Sequence, residues 1–313
     1  MKTVVRPLCS IHSYVYMPEW SGNRAPSAAA AASSAGYTHM VVPLRNFEAI
    51  DPAAIAKTFE ANQLSPVNSV NLLPHADLSS LDPDIRHRGI ERVRQGLRLA
   101  RDMGSHHVGG VLYGVLRKHE RPATSEQLKH AAHSLSVLAE EAKVMGIRLA
   151  IEIVNRYESN LINTVDQALN FLRSVGSDNV FLHLDTFHMN IEEADMRRAL
   201  EAALPVLAYF ELDQNNRGRP DQGAIDFDPL LSLLFASGYD DIVGIEAFSR
   251  NHISEEIGGA IGIWRDLFDY SCDVADAGIA LINDARERSK SVSQSSAGLC
   301  GVRSSERALK VSS

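Results

Sequence analysis

Residues 146–185 read GIRLAIEIVNRYESNLINTVDQALNFLRSVGSDNVFLHLD. A glycine opens the stretch, and an apolar, β-prone run follows it. A polar turn leads to Thr164, after which apolar residues recur at three- and four-residue spacing as far as Val175. Gly176 then closes the helical segment, and a second apolar run ends on Asp185. A strand, a helix and a strand joined by short connections imply two parallel strands and a crossover helix.

The same unit recurs in both directions along the chain. Residues 3–8, 39–43, 66–70, 107–112, 148–154, 180–185, 207–212 and 241–246 read as strands. Between them, residues 53–62, 86–103, 125–145, 164–175, 191–204 and 229–237 carry helical periodicity. An alanine-rich first helix is expected over residues 26–34, and a last one from about Glu255 to Asp284. Gly36, Gly104, Gly146, Gly176 and Gly238 each stand between a helix and the next strand, where a left-handed residue ends a helix. Eight such units predict an α/β protein with a closed (β/α)₈ TIM barrel over residues 1–284. An open doubly wound sheet is the other candidate, but no glycine-rich phosphate loop follows the first strand. Residues 285–313 are rich in serine and basic side chains with few apolar anchors, and are expected to form a flexible extension.

Composition narrows the function. Of 313 residues, 45% are hydrophobic, enough for a large core. Lys and Arg number 31 against 39 Asp and Glu, a net charge of -8, which argues against a nucleic-acid partner. The three cysteines are widely spaced and suggest no disulfide framework. No run is long and apolar enough to suggest a membrane span, and the start does not read as a signal peptide. The expectation is a cytoplasmic protein.

In a barrel of this kind the chemistry sits at the carboxyl ends of the strands. There the fifth strand carries Glu152, the sixth ends on Asp185, the seventh carries Glu211 and the eighth ends on Glu246. One acidic residue at a strand end is ordinary. Four on consecutive strands, each beside apolar residues, would repel one another and lose hydration unless a cation joined them. An all-oxygen set suits a hard divalent ion, manganese or magnesium.

Asn155 and Glu158 follow the fifth strand, His188 follows the sixth, and Arg217 lies in the loop after the seventh. His188 also reads as a helix-entry or core histidine, and Arg217 as a solvated loop charge. Beside a carboxylate cage, a neutral donor and a fixed cation suit the hydroxyls of a polyol. His183 shares a face with Asp185 and is either its supporting partner or a core residue. His106 and His107 point to opposite faces of a strand, and His130 and His133 lie on a polar helix face. Tyr14, Trp20, Tyr113 and Phe248 sit near strand ends, as an apolar wall against a sugar or as plain packing. No GxSxG and no Cys–His pair suggests a covalent nucleophile.

The strings IEIVNRYE, LDTFHMNIEE, NNRGRPDQG, IEAF and IGIWRD, in this order, resemble the ketose 3-epimerases, the D-tagatose/D-psicose group of the xylose-isomerase-like TIM barrels. The resemblance implies metal ligands at Glu152, Asp185, Glu211 and Glu246, with Glu152 and Glu246 as the acid–base pair. It implies substrate contacts at Glu158, His188 and Arg217, and a homodimer or homotetramer. The activity it implies is metal-dependent epimerisation of a free ketose at C3 through an enediolate, with manganese favoured over magnesium or cobalt.

Two positions depart from the family pattern. Its H-x-G-E-x-N-R motif is replaced by Glu211-Leu212-Asp213-Gln214-Asn215-Asn216-Arg217, and Pro220-Asp221-Gln222-Gly223 stands where Pro-Gly-x-Gly is usual. Glutamate at 211 makes the expected site all-carboxylate. An aldose–ketose isomerase, a lyase acting on an oxidised sugar, and a non-catalytic sugar-binding protein are the alternative readings.

Overall fold

The computed structural model of the chain describes residues 8–20 and 24–308, with side chains as far as residue 291. Eight parallel strands pair in sequence order and close into a barrel. They are β1 (Cys9–His12), β2 (His39–Leu44), β3 (Ser65–Val70), β4 (His107–Gly110), β5 (Arg148–Ile153), β6 (Val180–Asp185), β7 (Leu207–Leu212) and β8 (Ile242–Ile245). Helices α1 (Ala25–Ala35), α2 (Pro52–Ala61), α3 (Pro83–Asp102), α4 (Ser125–Val144) and α5 (Val165–Val175) link the first six strands. The second half carries α6 (Thr186–Glu192), α7 (Met196–Ala203), α8 (Asp228–Ala236), α9 (Glu255–Ile261) and α10 (Ser271–Ala308).

The helices form because their caps and apolar faces agree. Thr124 with Gln127 and Thr164 with Gln167 make reciprocal capping boxes at the starts of α4 and α5. Leu135, Leu138, Ala139 and Ala142 of α4 and Val93, Leu97 and Ala100 of α3 are buried against the strands. The five glycines expected to end helices all have positive φ, from 68° at Gly176 to 108° at Gly36.

The barrel interior has two parts. Toward the amino ends of the strands it is filled by Val41, Val67, Tyr209 and Ile242. Tyr209 needs room there, and Gly244 on the neighbouring strand supplies it: a Cβ at residue 244 would lie 2.1 Å from the Tyr209 phenol oxygen. Toward the carboxyl ends the interior opens into a cavity of about 110 Å³ lined by polar and charged side chains on one part and apolar ones such as Leu116, Phe248 and Ile257 on another.

Several boundaries differ from the sequence expectation. The first strand among the described residues is Cys9–His12; of the strand expected over residues 3–8, residues 3–7 lie outside the described residues and Leu8 precedes β1. Pairing sets this register: Cys9 lies opposite Val243, and Ser10 opposite both Gly244 and His39. The helix expected over residues 191–204 is two helices. Glu193 leaves α6 in an extended conformation, its carboxylate accepting from the Val165 amide, and Asp195 caps α7. The last expected helix also divides, because Gly262 ends α9 in the left-handed conformation. Finally, α10 continues to Ala308, so the boundary expected at residue 284 falls inside a helix.

Candidate active site

Strand register brings the acidic residues together. Glu152 of β5 lies opposite His183 of β6, His183 opposite Tyr209 of β7, Asp185 opposite Glu211, and Glu211 opposite Gly244 of β8. Glu246 follows β8 directly, its amide donating to the Leu212 carbonyl at 3.2 Å. Among the described residues, two groups of ligand atoms lie within 4.8 Å of one another. One contains Asp185, Glu211 and Glu246, and the other Glu152, Asp185 and His188. Asp185 belongs to both. The four strand-end carboxylates therefore meet at one rim, with Glu152 reaching it beside His188.

Arg217 is the cation of the site. Its backbone is left-handed, φ 58°. Its amide donates to the Gln214 carbonyl at 2.8 Å, and its carbonyl accepts from the Phe248 amide at 2.7 Å. The loop after β7 is thus fastened to the end of β8. The guanidinium is sandwiched between the Phe187 and Phe248 rings, 4.4 and 4.6 Å from their centroids. Its Nε donates to Asp213 at 2.7 Å and one Nη to Glu246. Glu158 and Asp185 lie 3.8 and 3.9 Å away. A planar, always charged fork fits this crowded position as no lysine would.

His188 is buried with its ring fixed. Its Nδ1 accepts from the Asn155 amide at 3.2 Å, so that nitrogen carries no proton. The Nε2–H then faces Glu152 at 3.6 Å and Asp185 at 3.8 Å. Asn155 also donates to Glu158 at 3.1 Å. Glu158, Asn155, His188 and Arg217 thus form a connected polar wall beside the carboxylates.

Burial and crowding set the charges. Burial raises Asp185 well above the usual carboxylate range, and Asp213 and Glu246 push it further against His188 and Arg217. Burial likewise raises Glu211, with Glu246 and Glu152 adding to it. Burial also tends to raise Glu152, but His188, His183 and Arg217 outweigh it and bring its carboxyl down to about 2. Burial alone would lower His188, yet Asp185 and Glu152 raise it overall.

This donor set fits a divalent cation. Asp185 is fully buried, and its Oδ2 has no hydrogen-bond partner. A buried carboxylate oxygen without a donor is costly unless a positive charge meets it. Three carboxylates that converge without a matching number of donors have the composition of a hard-metal site.

Other aromatic and histidine candidates separate. Tyr14 and Phe248 pack together at the cavity wall, centroids 5.8 Å apart. Trp20 packs on Phe59, and Tyr113 is buried with its hydroxyl on the Ile162 carbonyl, so both are packing residues. His106 and His133 are exposed, and His130 faces Glu126 on the outside. His107 is buried and lines the cavity floor. His183 is the supporting partner of Glu211, 2.9 Å from its Oε2.

Three site residues were not singled out from the sequence. His12, at the end of β1, lies 3.6 Å from Glu246. Asp213 anchors Arg217, and the i, i+4 spacing of that pair was its available signal. Tyr209 reaches the second oxygen of Glu211 at 3.3 Å.

A closed eight-stranded barrel with an acidic rim of this kind defines a sugar isomerase-type protein, and the chain belongs to the xylose isomerase-like TIM barrel family, whose profile matches residues 29–269. Its relatives include ketose 3-epimerases. It is 36% identical over 263 residues to the L-ribulose 3-epimerase of Mesorhizobium japonicum, covering 82% of this chain and 87% of that one. It is 31% identical to the ketose 3-epimerase of Arthrobacter globiformis, covering 80% and 86%. The crystal structure of the D-allulose 3-epimerase of Methylomonas sp. in complex with D-allulose is similar at a TM-score of 0.86 and 32% identity, covering 90% of this chain and 97% of that one.

Proposed function

We propose that this protein is a metal-dependent ketose 3-epimerase acting on a free sugar. The observation that carries the reading is the arrangement about Asp185. Glu152 and Glu246 come from separate strands, each within 4.8 Å of Asp185 but in different ligand groups. Inverting a carbon needs one group to remove a proton from one face and another to return a proton to the opposite face.

Glu152, Asp185, Glu211 and Glu246 would hold the metal. When bound, it supplies a positive charge that polarises the ketose carbonyl and makes the neighbouring C–H more acidic. Manganese or magnesium suits the all-carboxylate set best, and cobalt less well. Glu152 and Glu246 act as the acid–base pair: one takes the C3 proton to give an enediolate, and the other protonates C3 from the far side. His188, through its Nε2–H, and Arg217 donate to the sugar hydroxyls next to the reacting carbon, and Glu158 accepts from one of them. Fixing these hydroxyls decides which carbon faces the two carboxylates.

The expected homodimer or homotetramer and a cytoplasmic location complete the proposal. Trp264 and Tyr270, 73% and 67% exposed, offer apolar surface for assembly. Among the described residues, no helix is long and apolar enough to cross a membrane.

Turnover of D-allulose and L-ribulose in D₂O with Mn²⁺ tests the reading. Solvent deuterium should appear at C3 of both epimers, followed by proton NMR. Deuterium at C1 or C2 would instead identify an aldose–ketose isomerase and overturn the proposal.

A further inference from the structure

The cavity has a second cation, at its open end. Arg45 follows β2, and its side chain is one-third exposed where it lines the cavity mouth. Its backbone is held in place. Arg92 of α3 donates to the Arg45 carbonyl at 3.1 Å and to the Asn71 carbonyl at 2.7 Å, with its guanidinium 4.4 Å from the Phe47 ring. The Arg45 guanidinium donates to Glu256 of α9 at 2.9 Å. Tyr14 lines the same cavity.

Tyr14 links this end to the chemistry. Its ring stacks on His12, centroids 4.5 Å apart, and His12 lies 3.6 Å from Glu246. From the carboxylate rim outward the wall therefore runs Glu246, His12, Tyr14, Arg45. Arg45 lines the same cavity as the carboxylates, so a sugar whose carbonyl end lay at the rim would extend along this wall toward it.

We infer that Arg45 recognises the terminal hydroxyl of the ketose, the end remote from the reacting carbon, and so sets selectivity for chain length and for oxygenation at C6. This rests on the epimerase reading above. A hydroxyl suits the position better than a phosphate. Glu256 already balances the charge of Arg45, whereas the fork of five N–H groups leaves donors for another acceptor. The Arg45–Glu256 pair is no obstacle to binding, because Glu256 is 80% exposed and such pairs hold weakly.

The test compares D-allulose with its 6-deoxy counterpart, which lacks only the terminal hydroxyl, on the manganese-loaded enzyme. Wild type should prefer D-allulose by about tenfold in kcat/KM, the usual worth of a hydrogen bond to a charged group. Arg45→Met should raise KM for D-allulose about tenfold, leave kcat within twofold, and leave the 6-deoxy sugar unchanged. Glu256→Gln should keep the wild-type preference. If Arg45→Met impaired both sugars equally, or if Glu256→Gln reproduced its effect, the pair would be a latch on α9 and the inference would be wrong. Absence of wild-type turnover on both sugars would instead overturn the epimerase reading, and this inference with it.

Discussion

His183 Nε2 lies 2.9 Å from Glu211 Oε2, and the Tyr209 phenol lies 3.3 Å from the other oxygen of the same carboxylate. Glu211 is thus contacted at both oxygens by side chains of two adjacent strands. Its ring partner comes from the layer of the barrel just below the acidic rim, since His183 pairs with Tyr209 and Asp185 pairs with Glu211. As a proposed metal ligand, Glu211 needs this orientation.

His183→Ala should therefore weaken divalent metal binding, by about 10- to 100-fold if it acts as such supports generally do. Calorimetric titration of the metal-free protein with Mn²⁺ measures this directly. An unchanged affinity would reduce His183 to a packing residue.

Glu246→Gln and Glu152→Gln should each lower epimerisation by at least about 10²-fold, the lower end of what general acid–base catalysis contributes. Circular dichroism should show an intact fold. Substantial turnover by either variant would remove that residue from the proton-transfer pair.

Arg217→Lys keeps the charge but loses both the fork to Asp213 and Glu246 and the stacking between Phe187 and Phe248. We expect kcat/KM to fall about 10-fold or more through the lost hydrogen bonds to a charged group. Steady-state kinetics on D-allulose decides it, and wild-type values would show that only charge matters here.

Gly244→Ala should destabilise the barrel and displace the Tyr209 phenol that donates to Glu211. The new methyl would meet the Tyr209 phenol oxygen at 2.1 Å, and overpacking of this kind costs about 1–3 kcal/mol. Thermal melting reads it. Gly244→Ala combined with Tyr209→Phe should recover much of the loss.

Acid stability has a contribution far from the site. Burial lowers His39 to about 4, with Asp241 opposing, and its Nδ1 is 2.8 Å from the Thr38 hydroxyl. The unfolded chain takes up this proton near the usual histidine value of ~6.5, whereas the folded chain refuses it until about 4. Stability from this residue is therefore lost as pH falls between those values and does not change further below them. In His39→Gln the melting temperature should decline less steeply across the same window, and an identical pH profile would count against the burial argument.

The repeating glycine punctuation and the periodicity of residues 146–185 made the barrel legible, and the strand-end positions of Glu152, Asp185, Glu211 and Glu246 made the acidic rim legible. Pairwise geometry was not. The expected strand stopped at Leu8, and it is pairing with β2 and β8 that places Cys9–His12 in the barrel. With the strand misplaced, His12 had no rim to belong to. Asp213 looked like one acid in a polar loop until the left-handed turn at Arg217 brought the two side chains together. The break between α6 and α7 depends on Glu193 reaching the Val165 amide, a contact between helices that periodicity does not encode.

Arg92 clasps the carbonyls of Arg45 and Asn71, which terminate neighbouring segments of the entrance. Those two segments are mechanically yoked, so a graft that exchanges one of them between homologous enzymes will disturb the other. Anyone re-engineering this entrance for a different sugar should transplant both together with the arginine that joins them.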